Sequence, residues 1–267
     1  MPLLFWRARP IPVVELRGVI SARPGMLNVQ SAGPLLERGF ALARAKNAGK
    51  RLILAVESPG GSPVQSDLIG QFIRRRAEEA GVHVTAVIGD VGASGGYWIA
   101  CAADEIRANP MSIVGSIGVI GGGFGVNRLL SRLDVDRRLY TAGKNKGRLD
   151  PFSPERPEDV EFTRALLEDL HGHFKDWVRS RRAGRLLAPE EELFDGSYMI
   201  GSRALAAGLV DALGDVDGLV REMGGVKAKA LWLRPKSRRS LLRLLGRGAT
   251  EAVADVAEMW RDTHGFR

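Results

Sequence analysis

Between Arg51 and Ser62 the chain reads RLILAVESPGGS. Leu52 to Val56 is an unbroken apolar run of strand length, and Ser58-Pro59-Gly60-Gly61 ends it in a turn. A strand that is apolar at every residue, not at alternate ones, is covered on both faces, as strands of a parallel sheet are. Residues 64–80 then repeat Ile69, Phe72 and Ile73 at helical spacing, and residues 83–89 return to a strand pattern. Upstream, residues 13–20 read as a strand and 32–47 as a helix. Downstream come a helix at 94–103, a strand at 105–108, a helix at 126–133 and a strand at 136–141. Strands alternating with helices in this rhythm imply βαβ units and an α/β fold with a mainly parallel sheet. After Pro151 the pattern turns helical, at 157–180, 202–213 and 216–223.

Composition narrows the function. The 267 residues are 45% hydrophobic and 26% charged, a globular mixture with enough apolar material for a sizeable core. Cys101 is the sole cysteine, so no internal disulfide forms. With four histidines and no C-x-x-C or H-E-x-x-H, a protein-built zinc site is disfavoured, and no metal or cofactor is expected. The net charge is 39 − 31 = +8. Residues 227–247 hold Lys227, Lys229, Arg234, Lys236, Arg238, Arg239, Arg243 and Arg247 with no acid, which equals the whole excess. A nucleic-acid binder spreads its basic residues over a face of the fold, so no nucleic-acid partner is expected. The chain divides into an apolar and basic lead (1–12), a domain (13–235) and a basic amphipathic tail (236–267). With Leu241, Leu242, Leu244 and Leu245 set among arginines, the tail suits docking on an anionic membrane surface or packing in an oligomer. The lead lacks the longer apolar core and cleavage site of a secretory signal. No apolar stretch approaches the ~18–20 residues that span a bilayer.

Three glycine-rich corners follow three strands. Ser58-Pro59-Gly60-Gly61 allows backbone N–H groups to approach a ligand, as an oxyanion hole requires, or simply turns the chain. Gly92-Ala93-Ser94-Gly95-Gly96-Tyr97 crowds small residues around a serine between a strand and an apolar helix. Ser94 is then either a helix cap or a nucleophile on a sharp turn. Gly115-Ser116-Ile117-Gly118 reads as a cleft wall or an irregular turn, and Ala142-Gly143-Lys144-Asn145-Lys146 as a basic loop. Neither a dinucleotide fingerprint nor a Walker sequence is present.

A serine nucleophile needs a base. His171 and His173 lie two apart in an expected helix, His83 opens a strand and His264 lies in the tail; none stands near a glycine corner in sequence. A lysine remains. Bringing an ammonium from its ordinary pKa of ~10.4 to about 7–8 takes about 3 units, roughly 4 kcal/mol of burial, which a closed cleft supplies and an open loop does not.

Taken in order, S-P-G-G, G-A-S-G-G-Y, G-S-I-G-V and G-x-x-K resemble the protease IV family, bacterial signal peptide peptidase A and its SohB relatives. The resemblance runs from about Val13 to Gly225. It implies a Clp protease/crotonase-like fold and a Ser-Lys dyad peptidase acting on apolar peptides such as spent signal peptides. Carried over by position, it puts the nucleophile on Ser94, the general base on Lys146 and the lysine-orienting hydroxyl on Ser116. Backbone N–H groups of Gly61 and Gly95 become the oxyanion pair, with Gly60 as a further candidate, and Tyr97 serves packing. Lys144 is the rival base, set aside only by the G-x-x-K spacing. It also implies a homo-oligomer with the active site shared between subunits. With neither a secretory signal nor a membrane span seen in the sequence, a cytoplasmic location is expected, at most peripheral on the inner membrane. Two other classes stay open. One is a non-catalytic scaffold in membrane quality control. The other is a crotonase-like acyl-CoA enzyme, for which Glu57 is the sole candidate cleft carboxylate.

Overall fold

The long apolar run is the centre of a sheet. The computed structural model describes residues 10–45 and 49–235. The chain order is β1 (Ile11–Arg17), α1 (Val29–Arg44), β2 (Arg51–Ser58), α2 (Pro63–Ala80), β3 (His83–Ala93), α3 (Gly95–Cys101), β4 (Glu105–Ala108) and β5 (Ile113–Gly115). It continues with α4 (Asn127–Arg132), α5 (Pro157–Arg182), α6 (Glu190–Leu193), β6 (Tyr198–Ile200), α7 (Gly201–Ala206), β7 (Ala212–Leu213), α8 (Val216–Gly224) and β8 (Ala230–Leu233). The sheet runs β6-β5-β3-β2-β1-β8, parallel except for the β5–β6 pair. This is the α/β architecture with parallel βαβ units that the sequence implies.

Both faces of β2 are covered, which explains its continuous apolar run. Leu52, Leu54 and Val56 pack with Leu36 and Phe40 of α1, Ile69 and Ile73 of α2, and Phe174 and Val178 of α5. Ile53, on the opposite face, packs with Val13, Val87 and the α8 residues Leu219 and Val220. Strand β3 is long enough to serve two neighbours. Its residues 85–88 pair with β4, and Val91, Gly92 and Ala93 pair with β5. The sheet therefore splits along β3, and the branch through β5 and β6 carries the third glycine corner.

A buried polar knot ties α5 to this frame. Arg182, only 1% exposed, reaches Asp211 Oδ2 at 2.8 Å and donates from Nη2 to the Gly208 carbonyl at 2.7 Å. Asp211 also accepts the Ile106 N–H at 2.7 Å. Burial pushes the Asp211 carboxyl up, but the Arg182 hydrogen bond and the Ile106 N–H outweigh it and hold the group below the ordinary carboxylate range.

Several expectations are corrected. Ile11 and Pro12, assigned to the lead, open β1, because they pair with Ala230 and Leu231 of β8. Lys227, Lys229 and Arg234 flank that edge strand, and Arg234 meets Glu15 of β1 at 3.4 Å, so part of the basic excess belongs to the sheet edge. Residues 136–141 form no strand; they are exposed and unpaired in the sheet. The helix expected at 202–213 stops at Ala206, where the chain turns through Gly208 (φ 79°) and resumes as β7. The tail from Lys236 onward and residues 1–9 of the lead lie outside the described residues. Among the described residues no helix is long and apolar enough to cross a membrane.

Candidate active site

The C-terminal ends of β2, β3 and β5 bring the three glycine corners side by side. Ser58 at the end of β2 pairs with Gly92, and Ala93 at the end of β3 pairs with Gly115 of β5. Ser94 and Ser116 are thus the next residues on two adjacent parallel strands, and the Ser94 N–H donates to the Gly115 carbonyl at 2.8 Å. Both serines adopt left-handed backbone, φ 51° and 53°. Such a conformation costs a residue with a Cβ about 1–3 kcal/mol and persists only where the surroundings impose it. Ser94 occupies the N-cap position of α3 yet makes no side-chain cap hydrogen bond. The cap reading fails on that point: the hydroxyl, on a half-buried residue, is not committed to the helix.

Glycine is required beneath it. A Cβ placed on Gly60 (φ 101°) would sit 2.7 Å from the Gly95 nitrogen and 2.8 Å from Ser94 Cβ. One on Gly61 (φ 142°) would collide with the Ile20 carbonyl. The turn is bridged to that residue: Ile20 donates to the Gly60 carbonyl, and the Ser62 N–H to the Ile20 carbonyl, both at 2.8 Å. The Gly60 N–H donates to Ser58 Oγ at 3.1 Å, which removes Gly60 as a third oxyanion donor. Among the described residues Gly61 gives its N–H to no protein acceptor. The Gly95 N–H sits at the first position of α3, where no carbonyl precedes it within the helix. Gly61 and Gly95 thus both keep an N–H without a protein acceptor among the described residues.

Ser116 is half-buried beside Ser94, its N–H donating to the Ser197 carbonyl at 2.7 Å. Tyr97 is packing, as expected: it is fully buried and donates to the Leu209 carbonyl at 2.7 Å. Lys146 is placed differently. It lies in an exposed turn closed by its own N–H to the Gly143 carbonyl, and among the described residues it makes no hydrogen bond to Ser94 or Ser116. Lys144, the rival, is equally exposed.

Glu57, the candidate cleft carboxylate, is placed by geometry. Both Glu57 oxygens accept backbone N–H groups of β3, from Asp90 at 2.9 Å and Val91 at 3.1 Å, where the β2–β3 register shifts. Glu57 therefore braces the strand, with both its oxygens engaged by backbone amides of β3. Burial pushes the Cys101 thiol up to about 12, so it stays protonated and inert as a nucleophile. One histidine does reach a glycine corner, contrary to expectation: His171 of α5 donates from Nε2 to the Ile117 carbonyl at 3.1 Å. Helical periodicity alone could not show which corner α5 would pack on. A cleft of about 530 Å³ lies at the other end of the strands among Lys50, Arg51, His83, Arg107 and Glu222.

The sequence profile of peptidase family S49 matches residues 76–230, more than half of the chain and including Ser94, Ser116 and Lys146. The chain belongs to peptidase family S49. Relatives of this S49 chain vary in length and in name. It is 28% identical to the probable protease SohB of Haemophilus influenzae over 87% of the chain and 64% of that protein. It is 30% identical to the chloroplastic serine protease SPPA of Arabidopsis thaliana over 82% of the chain and 32% of that protein. A Brucella abortus protein named Na(+)/H(+) antiporter NhaA is 43% identical over 93% of the chain, which covers 34% of it. The chain thus spans between about a third and just under two thirds of these proteins' lengths.

Proposed function

We propose that the S49 chain is a serine endopeptidase in which Ser94 is the nucleophile, Lys146 the general base, and the N–H groups of Gly61 and Gly95 the oxyanion site. The observation that carries this reading is the Ser94 corner, where a serine of left-handed backbone makes no cap hydrogen bond, and the Gly61 and Gly95 N–H groups of the neighbouring corners have no protein acceptor among the described residues. In the first step the Ser94 Oγ–H proton passes to neutral Lys146 Nζ as Oγ bonds to the peptide carbonyl carbon, and the carbonyl oxygen becomes an oxyanion. Collapse breaks the C–N bond, and the Lys146 ammonium returns the proton to the leaving amine. Water then attacks the ester, giving its proton to Lys146, and Ser94 is released with its proton restored.

Exclusion of water favours the neutral form of an amine and brings its pKa toward neutrality. Lys146 lies in an open turn of the single chain, in a segment with Leu133, Leu139, Tyr140 and Leu149 also exposed. We therefore assign the missing cover to a second copy, with Lys146 completing a site beside a neighbour's serine. Substrates are peptides with apolar segments, residual signal peptides among them. The tail from Lys236 is the element that would hold the assembly at an anionic membrane surface. Hydrolysis of an apolar peptide by wild type and by Ser94→Ala tests the assignment: the variant should lose activity to background. Equal rates would leave the scaffold reading standing.

A further inference from the structure

The S-P-G-G turn holds a polar side chain to which the reaction gives no part. Ser58 is fully buried, and its Oγ accepts the Gly60 N–H at 3.1 Å. Its backbone lies against the second corner as well, since it pairs with Gly92 and a side chain at Gly96 would collide with the Ser58 carbonyl. Gly60 and Gly61 rotate at little cost of their own, so sterics alone do not aim the Gly61 N–H. Hydrogen bonds on either side do. After Gly60 they are the two backbone bonds to Ile20; before it the bond is to the Ser58 hydroxyl. Only the last is made by a side chain. It also fixes the residue that sits against both the Gly95 nitrogen and Ser94 Cβ.

We propose that Ser58 is a positioning residue of the oxyanion site, its hydroxyl locking the turn so that the Gly61 N–H stays aimed at the charge that develops on the substrate carbonyl. The inference rests on the Ser94 reading above. Removing an oxyanion donor outright costs about 10²–10³ in rate, so loosening one should cost about 10–100-fold. That loss falls on kcat. KM, set by apolar contacts elsewhere on the peptide, should stay within about threefold.

The test compares assembled wild type, Ser58→Ala and Ser58→Cys, the cysteine keeping the shape with a much weaker acceptor. Each is assayed for kcat and KM on an apolar peptide, and for affinity toward a peptide aldehyde, which forms a tetrahedral adduct on the serine. Both variants should lose kcat and aldehyde affinity in parallel, with KM and melting temperature near wild type. Wild-type kcat in either folded variant overturns the proposal, as does a fall in kcat with aldehyde affinity unchanged. Should Ser58→Ala fail to fold, Ser58→Cys decides by the same criteria. If wild type hydrolyses the peptide no faster than Ser94→Ala, the serine reading itself has failed and the role of Ser58 falls with it. Activity that depends on Ser94 but is indifferent to Ser58 sinks this inference alone.

Discussion

Around Ser94 the chain is closed: Gly60, Gly95 and Tyr97 are buried, and Ser58 and Ser66 are covered beneath them. Around Lys146 it is open, with residues 141–146 all exposed and Tyr140 90% exposed beside them. The first region is fixed by sheet register, because three parallel strands end together and each is pinned to the next. The second is held at its margins. Val126 N–H reaches the Pro151 carbonyl at 2.7 Å, Arg137 pairs with Asp150 at 3.0 Å and Arg148 with Asp159 at 3.2 Å, but no core lies under the loop between them. On the function proposed above, a single chain builds the nucleophile's half of the site and offers the base on a surface that a partner would bury.

The contrast can be broken most sharply at the lysines. Lys146→Ala should lower kcat for an apolar peptide by at least about 10³-fold, whereas Lys144→Ala should stay within a few-fold of wild type. The reverse outcome would move the base to Lys144. A smaller effect is expected where the open region meets its partner. A paired Leu139→Asp and Tyr140→Asp change should shift sedimentation toward smaller species and cut activity about tenfold or more, with the monomer's circular dichroism unchanged. Full assembly and full activity would show that this apolar surface is not the contact.

The smallest effect on activity belongs to the closed region's support. Asp211→Asn leaves Arg182 buried without its counter-charge and should cost roughly 3 kcal/mol at pH 7, seen as a lowered melting temperature with kcat retained at low temperature. Its pH dependence has a definite sign. The folded carboxyl titrates below its ordinary value of ~3.9, so its stabilisation is present above that pH and fades as pH falls through the folded value. The gap between wild type and Asp211→Asn should therefore narrow in acid below about pH 4. A constant gap would remove Asp211 from the acid response.

Much of the closed region was legible in the sequence because its signals are local. The all-apolar run over residues 52–56 marks the centre of β2, which spans Arg51–Ser58, and the helical repeat from residue 64 gives α2 to within one residue of its start at Pro63. Other features were hidden because they depend on distant partners. β3 extends four residues past Gly89 since Glu57 satisfies the Asp90 and Val91 amides, a brace that no local pattern announces. β5 to β8 run two to four residues each, too short for a period to show. Residues 136–141 end in Leu139, Tyr140 and Thr141 but pair with no strand of the sheet. Ser94 could not be told from a helix cap, since its left-handed backbone comes from Gly60 beneath it and β5 beside it.

Complementation between two dead proteins probes the division of labour without ambiguity. Ser94→Ala and Lys146→Ala, each inactive alone, are unfolded and refolded together in equal amounts, and peptide hydrolysis is measured on the mixed assemblies. If each site draws its serine from one copy and its lysine from the next, activity should return to on the order of a quarter of the wild-type rate, the statistical share of productive neighbour pairs. A mixture that co-assembles yet stays as inactive as its parts, beside an active wild type treated identically, would contradict a site built from two copies.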